Sequence, residues 1–113
     1  QSKIIRELAD KGPCVIVGRC ADYILRERKD CLNIFVHAPL ADRVERAVSE
    51  YGLAADDAQS TVKRNDKIRS KHYQYYACAH WGETHNYHLT VNSSVLGCFK
   101  TAELIVEAAK KFA

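Results

Sequence analysis

Three short apolar runs, "CVIVG" (14–18), "LNIFVHA" (32–38) and "YHLTVN" (87–92), alternate with stretches of helical period, and this alternation limits the fold more than any other feature. The runs are rich in β-branched residues and lack the strict apolar–polar alternation of a strand with one wet face, so each reads as a strand covered on both faces. Strands of that kind separated by helices predict an α/β fold: a three-layer parallel sheet with flanking helices, joined by crossovers. Ile4, Ile5, Leu8 and Ala9 share one arc of a helix over residues 2–11, which Gly12-Pro13 terminates. A second helix is expected from about Cys20 to Arg28. Pro39 opens a third, with Leu40, Val44, Ala47, Val48 and Tyr51 on one face and Asp42, Arg43, Glu45, Arg46 and Glu50 on the other. A long polar helix is expected over about 54–76, followed by a loop centred on "HWGETHN", and a final helix over about 99–112.

Composition narrows the class. The 113 residues, 47% hydrophobic and 27% charged, fit one globular unit with a modest core. No apolar run approaches the roughly 18 residues of a membrane span, and "QSKIIRELADKG" has no signal-peptide core, which leaves the cytoplasm as the default expectation. The five cysteines include no CxxC pair, so neither a disulfide framework nor a zinc site is predicted. His37, His72, His80, His85 and His88 have no compact ligand spacing, and no metal ligands are assigned. A net charge of +3 is too small to imply nucleic acid, so any anionic partner has to be argued from where the charges lie.

Two places concentrate positive charge where chemistry is possible. Ligands on parallel sheets sit beyond the carboxyl ends of the strands, and Arg19 follows Gly18 at such an end. It is either a ligand-facing arginine or a surface arginine near a helix start. On the long helix, Lys63, Arg64, Lys67 and Lys71 fall within about 100° of one another, either a solvated face or an anion-binding stripe. Arg69 lies instead among Ala58, Val62, Tyr73 and Tyr76, where a guanidinium snorkels to water or needs a hydrogen-bonded anion. Asp66 can orient these arginines or form an ordinary i,i+3 pair with Arg69. Tyr75 and Tyr76 are expected in the core, while Trp81 can pack or stack on a base.

The order "VIVGR", "NIFVHAPLADRVERAV", "KRNDKIRSKHYQYY" and "WGETHNYHLTVNSSVLG" resembles the cytidylate-kinase-like proteins, a branch of the P-loop nucleoside monophosphate kinases, across essentially the whole chain. The resemblance implies a five-stranded parallel sheet, a mobile lid matching the helical region about 54–86, and transfer of the γ-phosphoryl of ATP to CMP or a related monophosphate with Mg²⁺. By the same resemblance Arg19 matches the arginine of a "GRD" turn on the monophosphate side. Arg64, Lys67, Arg69 and Lys71 match the basic run of the lid helix, with Arg64 and Arg69 as the catalytic pair, and "VNSS" (91–94) looks like the "LDST" that ends the last strand. Three family carboxylates are replaced: by Cys20 after Gly-Arg, by His37 at the next strand's exit, and by Asn92 in "VNSS". The acceptor for a cytosine amino group then falls to Asp22, given a remodelled turn.

No G-x-x-x-x-G-K-[ST] occurs in the sequence, and without it there is no nest of backbone N–H groups for phosphates, no bridging lysine and no hydroxyl for Mg²⁺. The chain is therefore expected to be the C-terminal part of a nucleoside-monophosphate-kinase-like domain and not to turn over alone. In the family the P-loop strand lies between those matching "CVIVG" and "NIFVHA", so a second copy of the chain, pairing as a homodimer, is one way to complete the sheet. Two functions follow: a kinase portion making acceptor-side and lid contacts to a nucleotide, or a non-catalytic module binding a nucleotide or a protein through the basic helix.

Overall fold

The computed structural model describes residues 1–112. Helix α1 (Ser2–Lys11) forms as the apolar spacing requires and turns Ile5 inward, against Ala21 and Leu25, with Ala9, Ile16, Ile24 and Cys31 packed around them. The run "CVIVG" does not become a strand. Residues 14–17 join no strand ladder, and Val15 and Val17 are 91% and 85% exposed. A strand exists only where a neighbour accepts its ladder of hydrogen bonds, and none lies beside this segment among the described residues.

Helix α2 is a single turn, Ala21–Ile24, shorter than the expected Cys20–Arg28. Beyond it Arg26 and Arg28 donate their backbone N–H groups three residues back, to Tyr23 and Leu25, so the chain tightens instead of continuing the helix. The Arg28 guanidinium is held there by Asp10 of α1 and by Asp30. No further apolar residue follows Leu25 in "RERKD" to draw a longer helix onto the core.

Among the described residues the sheet has two parallel strands, and the expected three-layer assembly is not seen. Strand β1 (Ile34–His37) pairs with β2 (Leu89–Asn92) in the register Ile34↔Leu89 to His37↔Asn92. Their entry is set by Asn33, whose carbonyl accepts from the His88 N–H at 2.8 Å and whose own N–H donates to His88 Nδ1 at 2.8 Å. Between them run α3 (Leu40–Ser49) and α4 (Ala55–Ala77), which lie against each other and bury Ala47 and Ala58. A 3₁₀ turn (Thr84–Asn86) leads into β2. β2 passes directly into α5 (Ser93–Phe112), six residues earlier than the pattern indicates, because Gly97 (φ 82°, ψ 162°) breaks this helix and hides the continuity of its two parts. Tyr75 and Tyr76 are exposed, contrary to expectation, and Tyr73 is the tyrosine of α4 that the fold buries.

Candidate functional site

The carboxyl end of β1 and the middle of α4 converge on one cluster. Ala38 follows β1, and its carbonyl accepts a hydrogen bond from Arg43 Nε of α3 at 2.9 Å. Arg43 Nη1 then donates to both carboxylate oxygens of Asp66 on α4, each at 2.8 Å. Asp66 Oδ1 also accepts from Arg69 Nη2 at 2.8 Å. One carboxylate thus orients two guanidiniums and leaves the cluster with a net positive charge. Asp66 forms the i,i+3 pair with Arg69, and its second partner is Arg43 of α3, not Arg64 of its own helix. With Arg43 and Asp66 each about a third exposed or less, this pairing is better shielded from water than a surface ion pair.

Arg69 is exposed, and its guanidinium carbon lies 4.9 Å from the centre of the Trp81 ring. The "HWGETHN" loop brings Trp81 there because it packs T-shaped against Phe35 of β1, ring centres 5.3 Å apart, with Tyr87 packing on the same phenyl ring at 5.0 Å. Gly82 permits the approach. Its φ is 87°, which favours glycine, and a Cβ there would stand 3.2 Å from Phe35 Cζ, a tight contact to which the ring would have to yield. Trp81 therefore packs on Phe35 while its face meets a cation.

The second convergence lies at the turn carrying Arg19. The Tyr73 hydroxyl of α4 donates to Asp22 Oδ2 at 2.7 Å, across 51 residues of chain. Burial, and then the adjacent Asp22 carboxylate, push the Tyr73 phenol well above its ordinary range. Burial likewise raises the Cys20 thiol, with Asp22 adding to the effect. Asp22, expected to read a base, is thus engaged by a tyrosine through one oxygen.

Arg19, Arg64, Lys67 and Lys71 are exposed and make no hydrogen bond or ion pair to protein among the described residues. Of the expected site residues, the fold draws Arg69 into a protein cluster and Asp22 into another. It leaves the remaining four facing solvent. Periodicity puts Arg43 on the solvent face of its helix, and no spacing rule links it to Asp66, 23 residues on. The signal that could have found it is positional: Arg43 sits five residues past Ala38, whose carbonyl at the strand exit it caps. No group of three or more His, Cys, Asp or Glu among the described residues is placed to hold a metal ion.

With this geometry in place, the comparisons with known proteins agree on one class. A crystal structure of an uncharacterized protein from Eubacterium ventriosum matches with a TM-score of 0.84 at 22% identity, covering 97% of this chain and 63% of that one, which establishes a shared α/β fold. The model of the cytidylate kinase-like family matches residues 1–95, and the chain belongs to that family. A cytidylate kinase of Aeropyrum pernix is 31% identical over 106 residues, 93% of this chain and 60% of that protein. A cytidylate kinase of Methanopyrus kandleri is 27% identical over 77 residues, 61% of this chain and 40% of that protein. The chain thus spans at most 60% of the length of these two relatives. No helix among the described residues is long and apolar enough to cross a membrane.

Proposed function

We propose that this chain forms the acceptor-side and lid portion of a nucleotide kinase that moves the γ-phosphoryl of ATP to CMP or a related monophosphate. The observation that carries this reading is the Arg43–Asp66–Arg69 cluster at the exit of β1: two guanidiniums oriented in advance by a shared carboxylate. Guanidinium forks match phosphate oxygens, and donors already in place need no reorganisation as charge shifts during phosphoryl transfer. In this reading a phosphate meets Arg43 and Arg69 at the strand exit. Arg19 approaches from its own turn, and Arg64, Lys67 and Lys71 supply a screening field along α4.

ATP and Mg²⁺ belong to the same reading. The described residues present no carboxylate cluster for the metal, so no step is routed through it, and this chain's contribution is binding and charge neutralisation. The sequence lacks a Walker loop, and in our reading turnover needs one from the same protein. A nucleotide- or protein-binding module without chemistry is the competing function.

Equilibrium titration with CMP, UMP, AMP and inorganic phosphate discriminates. We expect a pyrimidine monophosphate to bind more tightly than inorganic phosphate, and Arg69→Ala to weaken it strongly. Failure of every monophosphate to bind would reject the kinase reading. A reading frame upstream of Gln1 with no Walker loop would favour the module.

A further inference from the structure

The backbone that carries Arg19 is unusual. Gly18, Arg19 and Cys20 are three consecutive residues with positive φ, at 69°, 61° and 54°. The Ala21 N–H donates to the Gly18 carbonyl at 3.1 Å, which closes a four-residue turn with Arg19 and Cys20 at its two central positions. Left-handed conformations at both centres define the type I′ turn, whose usual occupants are Asn and Gly. An arginine and a cysteine each carry a β-carbon that crowds the next carbonyl there, which disfavours both residues. A turn so placed persists only where its surroundings hold it.

Two restraints are visible. Cys20 and Ala21 are buried, and Ala21 and Leu25 pack on Ile5, which secures the turn's C-terminal side against α1. The other restraint is the Tyr73–Asp22 hydrogen bond, and among the described residues it is the only one joining this turn and α2 to α4. Tyr73 is buried, so its ring is fixed by packing while its hydroxyl reaches the carboxylate. Asp22 is the second residue of α2, two past Cys20, in the turn where the Tyr23 and Ile24 N–H groups both return to the Cys20 carbonyl. A force on Asp22 is therefore a force on the orientation of Arg19. Arg19 itself is exposed and gains nothing from packing, so the strain serves its presentation.

We propose that Tyr73 is a positioning residue: through Asp22 it locks the left-handed turn that presents Arg19, and so couples the arginine to the position of α4. The inference rests on the reading of Arg19 as a monophosphate contact.

Titration calorimetry with CMP on the wild-type protein, Tyr73→Phe, Arg19→Gln and the double variant tests it, with a thermal melt of each. Tyr73→Phe keeps the ring and removes the hydroxyl, and it should weaken CMP roughly three- to tenfold. In the Arg19→Gln background the same change should have no further effect, because the two act through one contact. Independent, multiplying losses would overturn the proposal, as would full affinity in Tyr73→Phe beside a loss in Arg19→Gln. Full affinity in Arg19→Gln would instead reject Arg19 as a contact, and the proposal with it. Should Tyr73→Phe fail to fold, the comparison moves to Asp22. Asp22→Ala should then lose more affinity than Asp22→Asn, which retains an acceptor oxygen, and equal losses would count against the lock.

Discussion

Asp66 and Arg69 share a hydrogen bond but carry different burdens, and substitutions separate them. Arg69 is largely solvated and joined to the fold by one side-chain hydrogen bond and the Trp81 face, so its removal should leave the melting temperature within a few degrees. In the kinase proposed above, Arg69→Ala should cost on the order of 2–4 kcal/mol in transition-state stabilisation, read from kcat/KM. Unchanged kcat/KM would reject the assignment. Asp66→Ala should cost stability as well as activity, about 1–3 kcal/mol by urea unfolding, since it removes the carboxylate that orients two guanidiniums. The phenols make a separate prediction. Burial raises Tyr73 and Tyr87 above their ordinary value of 10.0, and Cys20 and Cys31 above 9.0, so the folded chain keeps protons that the unfolded chain gives up. Their stabilisation is complete below about pH 9 and declines as pH rises beyond it, most steeply above about pH 10. Urea midpoints across that range should show the decline, and Tyr73→Phe should flatten it. A midpoint constant to about pH 11 would contradict burial of the phenols and thiols as the source of this stabilisation.

Among the elements, α5 and the "HWGETHN" loop show two distinct uses of glycine. Gly97 adopts φ 82° and ψ 162°, a region essentially closed to residues with a β-carbon, yet a Cβ there would meet nothing within 4 Å. Gly97→Ala should therefore lower stability by about 1–3 kcal/mol through backbone strain alone, with CMP affinity unaffected. Gly82→Ala combines strain with crowding of Phe35, the ring that seats Trp81, so it should lower both stability and CMP affinity. Matching affinities for the two variants would remove the "HWGETHN" loop from the site. Helix α4 was legible as a long polar helix because its charges recur at helical spacing, and α1 and α3 because their apolar stripes do. The break in α5 was hidden, since glycine inside a helical pattern does not reveal its own φ.

For the whole molecule, the decisive feature is apolar surface left open beside unpaired backbone. Val15 and Val17 are almost fully exposed on a segment without ladder partners, Val36 of β1 is 48% exposed, and Val95 and Phe99 project from α5. Exposed strand-like segments of this kind recruit other chains. The 113-residue chain alone is expected to associate at micromolar concentration, and Val15→Asp with Val17→Asp should shift it toward monomer in sedimentation equilibrium. A compact monomer with a cooperative melt, indifferent to those changes, would show that the exposed segment finds cover within the chain.

The sequence by itself determined the alternation of strands and helices, the apolar residues of the two paired strands, and the cationic stripe of α4, because these follow from local periodicity and β-branching. It also placed Arg19 after an apolar extended run and Arg69 off the lysine stripe. Only the tertiary structure decided that "CVIVG" stays unpaired, that Arg43 joins Asp66, and that Asp22 answers to Tyr73. A strand depends on a neighbour and a side-chain hydrogen bond on a partner that can lie 51 residues away, and neither leaves a period in the chain.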